Sequence, residues 1–120
     1  MFGAPIPILR SFDEARAKAF YIDFLGFDLA FEHRFEPDLP LYMGLTMDGC
    51  TLHLSEHYGD GSPGAAVRIP VDDVVGYSAG LAAKKFGNAR PGVPQRTPWG
   101  NFEITIDDPS GNRLTFFTED

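Results

Sequence analysis

The chain has 120 residues, enough for one domain, and 43% of them are apolar, with 11 Phe among them; a chain of this length buries roughly two-thirds of its unfolded surface. Its 17 acidic and 10 basic side chains give a net charge of −7, which argues against a nucleic-acid partner held through phosphates and favours a cationic one. No apolar run approaches the roughly 18 residues that a membrane span requires, and no charged-then-apolar signal segment opens the chain, so the expected setting is cytoplasmic, with no membrane partner. Cys50 is the only cysteine. It has no internal disulfide partner and no neighbouring cation or helix start to activate it, so it reads as a small buried hydrophobe.

Ala4 to Leu9 is extended, and Pro5 and Pro7 deny it two ladder donors, which places it at an edge or against another chain. Ser11-Phe12-Asp13-Glu14 has the pattern of a capping box, and a helix is expected from Phe12 to Leu25. Ala15, Ala19 and Ile22, with Phe20 and Phe24 alongside, form its buried stripe, and Gly26 supplies the left-handed stop. Phe27, Leu29, Phe31, His33 and Phe35 then occupy every second position. The period predicts a strand with one aromatic face and a polar face of Asp28, Glu32 and Arg34. Glu36 to Pro40 breaks it. Leu41 to Met47 and Cys50 to Glu56 are the next strands, joined by the two-residue hairpin signal Asp48-Gly49.

His57 to Gly64 is a polar, glycine-rich linker. The pattern then repeats: a strand over Ala65 to Val71, an N-cap at Asp72, a helix from Asp73 to Phe86 and a stop at Gly87. Gly76 and Gly80 weaken that helix, which must rely on tertiary packing. Asn88 to Thr97, with Pro91, Gly92 and Pro94, predicts a loop or an irregular strand. Phe102, Ile104 and Ile106 alternate with polar residues, Asp108-Pro109-Ser110-Gly111 turns the chain, and Asn112 to Thr118 is the last strand. Trp99 precedes this hairpin between Pro98 and Gly100. It either caps the end of a core or is presented at the strand mouth. The sum is an α+β chain of two βαβββ units, over residues 4–56 and 65–118.

No G-x-S-x-G, phosphate loop, H-E-x-x-H or C-x-x-C motif is present. His53, Glu56 and His57 cluster in sequence, but His53 and Glu56 are three apart on a strand and point to opposite faces, which argues against joint chelation.

Pro98-Trp99-Gly100, a short alternating strand, Asp108-Pro109-Ser110-Gly111-Asn112 and an apolar strand ending in Glu119 together resemble the C-terminal segment of bleomycin-resistance proteins. These belong to the glyoxalase, bleomycin-resistance and dioxygenase superfamily, the vicinal-oxygen-chelate proteins. Ile6-Pro7-Ile8-Leu9, Phe12-Asp13, Phe20-Tyr21 and Leu25-Gly26-Phe27 match its N-terminal pattern. The resemblance covers nearly the whole chain as a single domain, and implies two half-units that curl their sheets and form a cleft.

The superfamily's enzymes hold a divalent metal with four His or Glu ligands, at positions that fall here near Ile6, His53, Ala66 and Thr115. One ligand of four does not make a metal site, so no metal, cofactor or catalytic residue is assigned. The bleomycin-resistance proteins instead sequester the drug by stacking it on aromatics. Trp99 takes the place of their Pro-Trp-Gly tryptophan, Phe31 that of a second ring and Phe35 approximately that of a third. Read from the residues themselves, His53 is either a satisfied or a ligand-facing histidine of the cleft, and Glu56, with Glu32, Glu36 and Asp38, is expected to attract a cationic tail. Pro7 matches the proline of an exchanged N-terminal arm, which implies a domain-swapped C2 homodimer. The expected function is metal-free sequestration of a bleomycin-like or other small aromatic, cationic molecule, an antibiotic-resistance role. The alternatives are a metal-dependent lyase, isomerase or dioxygenase, and a structural or regulatory dimer with an empty cleft.

Overall fold

A computed structural model describes residues 1–87 and 91–119. The chain falls into two compact units, one of residues 1–65 with 109–112, the other of residues 66–108 with 113 onward. In the first unit the order is β1 (Ile8–Arg10), α1 (Glu14–Lys18), a π-helical continuation of α1 (Ala19–Phe24), β2 (Asp28–His33), β3 (Tyr42–Met47) and β4 (Cys50–Ser55). The sheet runs β1-β4-β3-β2, with β1 parallel to β4 and the other pairs antiparallel. Its core holds Leu9, Met43, Leu45, Leu52 and Leu54 from the strands and Ala17, Phe20, Tyr21, Phe24 and Leu25 from the helix.

The helix differs from the sequence expectation at both ends. Ser11 is not its cap: its buried hydroxyl accepts no helix N–H among the described residues, while its N–H donates to the Ser55 carbonyl at 2.9 Å and extends the sheet ladder. The cap is Asp13, whose Oδ1 accepts from the Arg16 N–H at 3.0 Å. The buried stripe also shifts. Leu25 N–H bonds to Phe20 O at 2.9 Å, a five-residue step that widens the last turns. Ala17, Phe20, Tyr21 and Phe24 are therefore buried, whereas Ala15 is exposed and Ala19 and Ile22 are only half-buried.

In the second unit the order is β5 (Ala66–Pro70), α2 (Val74–Lys84), β6 (Gln95–Arg96), β7 (Asn101–Asp107) and β8 (Arg113–Glu119), with the sheet β5-β8-β7-β6. The alternation of Phe102, Ile104 and Ile106 holds, and Ile104 and Ile106 are buried. Leu114 and Phe116 of β8 pack into the same core, as do Val74 and Leu81 of α2. Asp73 rather than Asp72 caps α2, accepting from Gly76 N–H at 3.0 Å, and Lys85 takes the left-handed turn ahead of Gly87. Only two residues of the expected 88–97 stretch form a strand; residues 88–90 of it lie outside the described residues. The molecule is thus α+β, with two four-stranded mixed sheets. Among the described residues no helix is long and apolar enough to cross a membrane.

Candidate functional site

The site is built by register. The Asp48-Gly49 turn sets Met47 opposite Cys50, so Gly44 falls opposite His53 and Tyr42 opposite Ser55. Met43, Leu45, Leu52 and Leu54 point to the core, which leaves Tyr42, Gly44, His53 and Ser55 on the other, open face. On the far side of β4, Ile8 of β1 stands beside His53.

β2 brings the aromatic ring, but not by simple alternation. A register shift lies between Leu29, opposite the buried Leu45, and Phe31, opposite Gly44. One bulged residue sends Leu29 and Phe31 to opposite sides. The expected end-to-end aromatic face of Phe27, Leu29, Phe31, His33 and Phe35 is therefore split: Phe27 is buried in the core, Phe31 and His33 join the open face, and Phe35 lies beyond the strand. The same shift sets Glu32 opposite Met43, on the helix side, where it pairs with Lys18 at 2.7 Å.

Gly44 is what lets the Phe31 ring lie flat on the sheet: a Cβ at this position would come within 2.2 Å of the ring. Phe31 runs nearly parallel to Tyr42, at 17° and 6.2 Å between centroids, and meets His53 edge-on at 5.3 Å. The Tyr42 hydroxyl and His53 Nδ1 are hydrogen-bonded at 2.8 Å. Burial, and then the negative Asp60, push the Tyr42 phenol above its usual 10.0, so it stays neutral. Beside this shelf opens a recess of about 400 Å³ lined by Phe31, His33, Phe35, Tyr42, His57 and Asp60. Phe35 meets His33 at 4.7 Å and His57 at 6.0 Å, both edge-on. The Asp60 carboxylate accepts from the buried Ser55 hydroxyl at 2.9 Å, and Ser55 in turn accepts from the His57 N–H at 3.1 Å.

Of the residues expected to bind ligand, Phe31 and His53 are in contact, and Phe31 and Phe35 share the recess. Glu56 follows β4, and its carboxylate accepts from the Leu41 N–H at 3.1 Å. Trp99 belongs to the second unit and is 66% exposed. It projects from the β6–β7 connection, which is closed by Thr97 N–H to Asn101 O at 2.7 Å and Gly100 N–H to Thr97 O at 3.1 Å. Pro7 offers its carbonyl to the His53 N–H at 3.0 Å, just ahead of β1. Tyr42, Gly44, His57 and Asp60 are additions of the structure. The first two were readable from the two-residue turn, which fixes their partners; His57 and Asp60 sit in a loop whose path no local pattern gives.

The metal positions also move. Ile8, not Ile6, stands beside His53, and Arg68, not Ala66, stands beside Thr115 on β8. Of these side chains, an aliphatic chain, a guanidinium, a hydroxyl and an imidazole, only the imidazole is a donor of the expected kind, and its Nδ1 is already bonded to Tyr42. These residues do not fit a divalent metal held by His and Glu. Among the described residues no group of three or more His, Cys, Asp or Glu converges as a metal site would require. Burial raises the Cys50 thiol pKa, the reverse of an activated nucleophile.

The chain thus holds two β-α-β-β-β units, each with its own mixed four-stranded sheet. The chain belongs to the glyoxalase superfamily: a family sequence model described as "Glyoxalase superfamily protein" matches residues 1–120. No curated protein matches it in sequence. Among solved structures, it is similar to TnmS3, an antibiotic-binding protein from Streptomyces sp. CB03234, with 20% identity, 100% and 98% of the two chains covered and a TM-score of 0.78. The bleomycin-binding protein of Streptomyces verticillus, solved with copper(II)-bleomycin, is 23% identical over 100% and 98% of the chains with a TM-score of 0.75. Lactoylglutathione lyase from Agrobacterium tumefaciens is 18% identical over 97% and 92% with a TM-score of 0.74. Identities of this size carry the fold alone.

Proposed function

We propose that the chain is a metal-free binding protein that sequesters a small planar aromatic molecule of the bleomycin type. The observation that carries this reading is the Phe31 ring laid over Gly44 beside Tyr42 and His53. Such a shelf, with Phe31 still 44% exposed, offers a flat apolar surface with a polar edge, which suits offset stacking of a heteroaromatic group. The antibiotic-binding and bleomycin-binding neighbours support the ligand class. In this reading residues 1–120 act as a single domain with halves 4–56 and 65–118, working in the cytoplasm. Trp99 and Phe35 add rings to the site, and His53 and Glu56 add polar edges. The arm bearing Pro7 is exchanged in a C2 homodimer, and the role is antibiotic resistance by holding the drug rather than altering it.

Titration with bleomycin tests this, read by the fluorescence of the sole tryptophan, Trp99, and by calorimetry. The expected result is saturable binding at one drug per chain, weakened at least about tenfold in Phe31→Ala and in Phe35→Ala. No heat and no quenching up to high micromolar drug would remove bleomycin as a ligand.

A further inference from the structure

We propose that the recess beside Phe31 recognises an N-alkylated ammonium group, with the Asp60 carboxylate as counter-charge and the rings of Phe31, Phe35 and Tyr42 as its walls. This deepens the binding function proposed above and rests on it, because it assumes that the recess holds a ligand.

Two of the four acidic residues suggested by the sequence are engaged elsewhere. Glu32 is paired with Lys18 at 2.7 Å, and Glu56 accepts from the Leu41 N–H. Asp60 is different. It is half-buried, lines the recess, and is fixed by the Ser55 hydroxyl and by its own N–H, which donates to His57 O at 3.1 Å. No Lys or Arg among the described residues lies within ion-pair distance of it. Arg10 stands on the strand beside Ser55, the residue that holds Asp60. Its guanidinium donates to the His57 carbonyl and stands 5.0 Å from the Phe12 ring centroid. The Asp60 charge is therefore left for a ligand, in a chain whose net charge of −7 also draws cations.

The walls decide which cation. A primary ammonium has three N–H donors to satisfy on leaving water. The recess is lined by carbon-rich rings and imidazoles, with one carboxylate. A methylated ammonium has few or no N–H donors to lose, and its charge is stabilised by ring faces. About 400 Å³ is room for such a group attached to an aromatic ring.

The test uses the whole protein at pH 8 and low salt, with phenyltrimethylammonium, benzyl alcohol and benzoate as cationic, neutral and anionic probes. Affinity is followed by the NMR shifts of the Phe31 and His57 ring signals. The expected order is cation, neutral, anion, with the cation favoured about tenfold. Asp60→Asn keeps an acceptor for Ser55, so it should leave the urea midpoint nearly unchanged and abolish the preference for the cation. Asp60→Glu should retain the preference, and Phe31→Leu should weaken all three probes. Equal affinity for cation and alcohol, an unchanged preference in Asp60→Asn, or no saturation by the cation at millimolar concentration would each overturn the proposal. If bleomycin or benzyl alcohol still binds in those cases, the recess remains a ligand site without charge recognition. If bleomycin does not bind either, the broader binding function fails with it.

Discussion

The two sheets share strand order and register yet have unlike open faces. Pairing places Ile8 beside His53 in one and Arg68 beside Thr115 in the other. Across the next ladder, His53 faces Gly44 while Thr115 faces Thr105, and Ser55 faces Tyr42 while Phe117 faces Glu103. In the second sheet these positions pair with one another. Arg68 pairs with Glu103 at 3.2 Å and stands 4.5 Å from the Phe117 ring centroid, and the Thr105 and Thr115 hydroxyls meet at 3.0 Å. In the first sheet the corresponding glycine leaves space, and an aromatic ring from β2 fills it without being covered. The same backbone therefore carries one face whose side chains pair with one another and one whose aromatic ring is left exposed. The difference rests on a handful of side chains.

Gly44→Thr is the strongest way to break the contrast, since it writes the second sheet's Thr105 into the first. The new side chain must push the Phe31 ring off the sheet. A loss of about 1–3 kcal/mol is expected in urea unfolding, as for other overpacked sites, together with loss of the bleomycin titration signal. Wild-type binding by Gly44→Thr would show that the shelf is not the site.

Tyr42→Phe should cost less. It removes the hydroxyl bonded to His53 while keeping the ring, so about 1 kcal/mol is expected in urea unfolding. The His53 imidazole resonances should shift. If they stay in place, the dyad does not order that face.

Arg68→Met probes the face of paired side chains. The pair with Glu103 is partly exposed, and exposed pairs contribute roughly 0–1 kcal/mol. Met preserves apolar contact with Phe117, so a urea midpoint near wild type and unchanged drug binding are expected. Impaired binding would make the second face part of the site.

The smallest effect concerns the edge of the first sheet, where β2 is tied down by charge. Lys18 bonds to Glu14 at 2.9 Å and to Glu32 at 2.7 Å, and Arg34 also bonds to Glu14. The Lys18 hydrogen bond holds the Glu14 carboxyl below its usual 4.5. The Glu32 hydrogen bond, with that to Glu14, holds the Lys18 ammonium above its usual 10.5. A lowered carboxyl stabilises the fold above its unfolded pKa, and this is lost as pH falls through the folded value. A raised ammonium stabilises it below 10.5, and this is lost as pH rises through the higher folded value. Because these groups are partly exposed, the effect is shallow. Lys18→Met should flatten both limbs of the stability–pH curve measured by urea unfolding; an unchanged curve would show that charge does not anchor this edge.

The sequence by itself determined the elements whose cause is local. Alternating Phe102, Ile104 and Ile106 define a strand with a buried side, Asp48-Gly49 joins two strands in register, and Gly26 ends a helix. The doubled β-α-β-β-β order follows from such signals, and the N- and C-terminal motifs were enough to point to the superfamily. Phe31 and His53 were singled out by the sequence, and the structure sets their rings together on one face. Only the tertiary structure decided how that face is made. A one-residue bulge leaves the composition of β2 unchanged but reverses the side on which Phe31 appears, because side-chain direction has a period of two and the count restarts at the bulge. Ser11 joins the sheet ladder through its N–H, and the helix is capped by Asp13 instead. Asp60 reaches the recess because a loop without periodicity is pinned to the buried Ser55 hydroxyl. Local patterns report what a residue does to its neighbours in sequence, whereas a site depends on which distant backbone lies opposite, and that is settled when the strands pair.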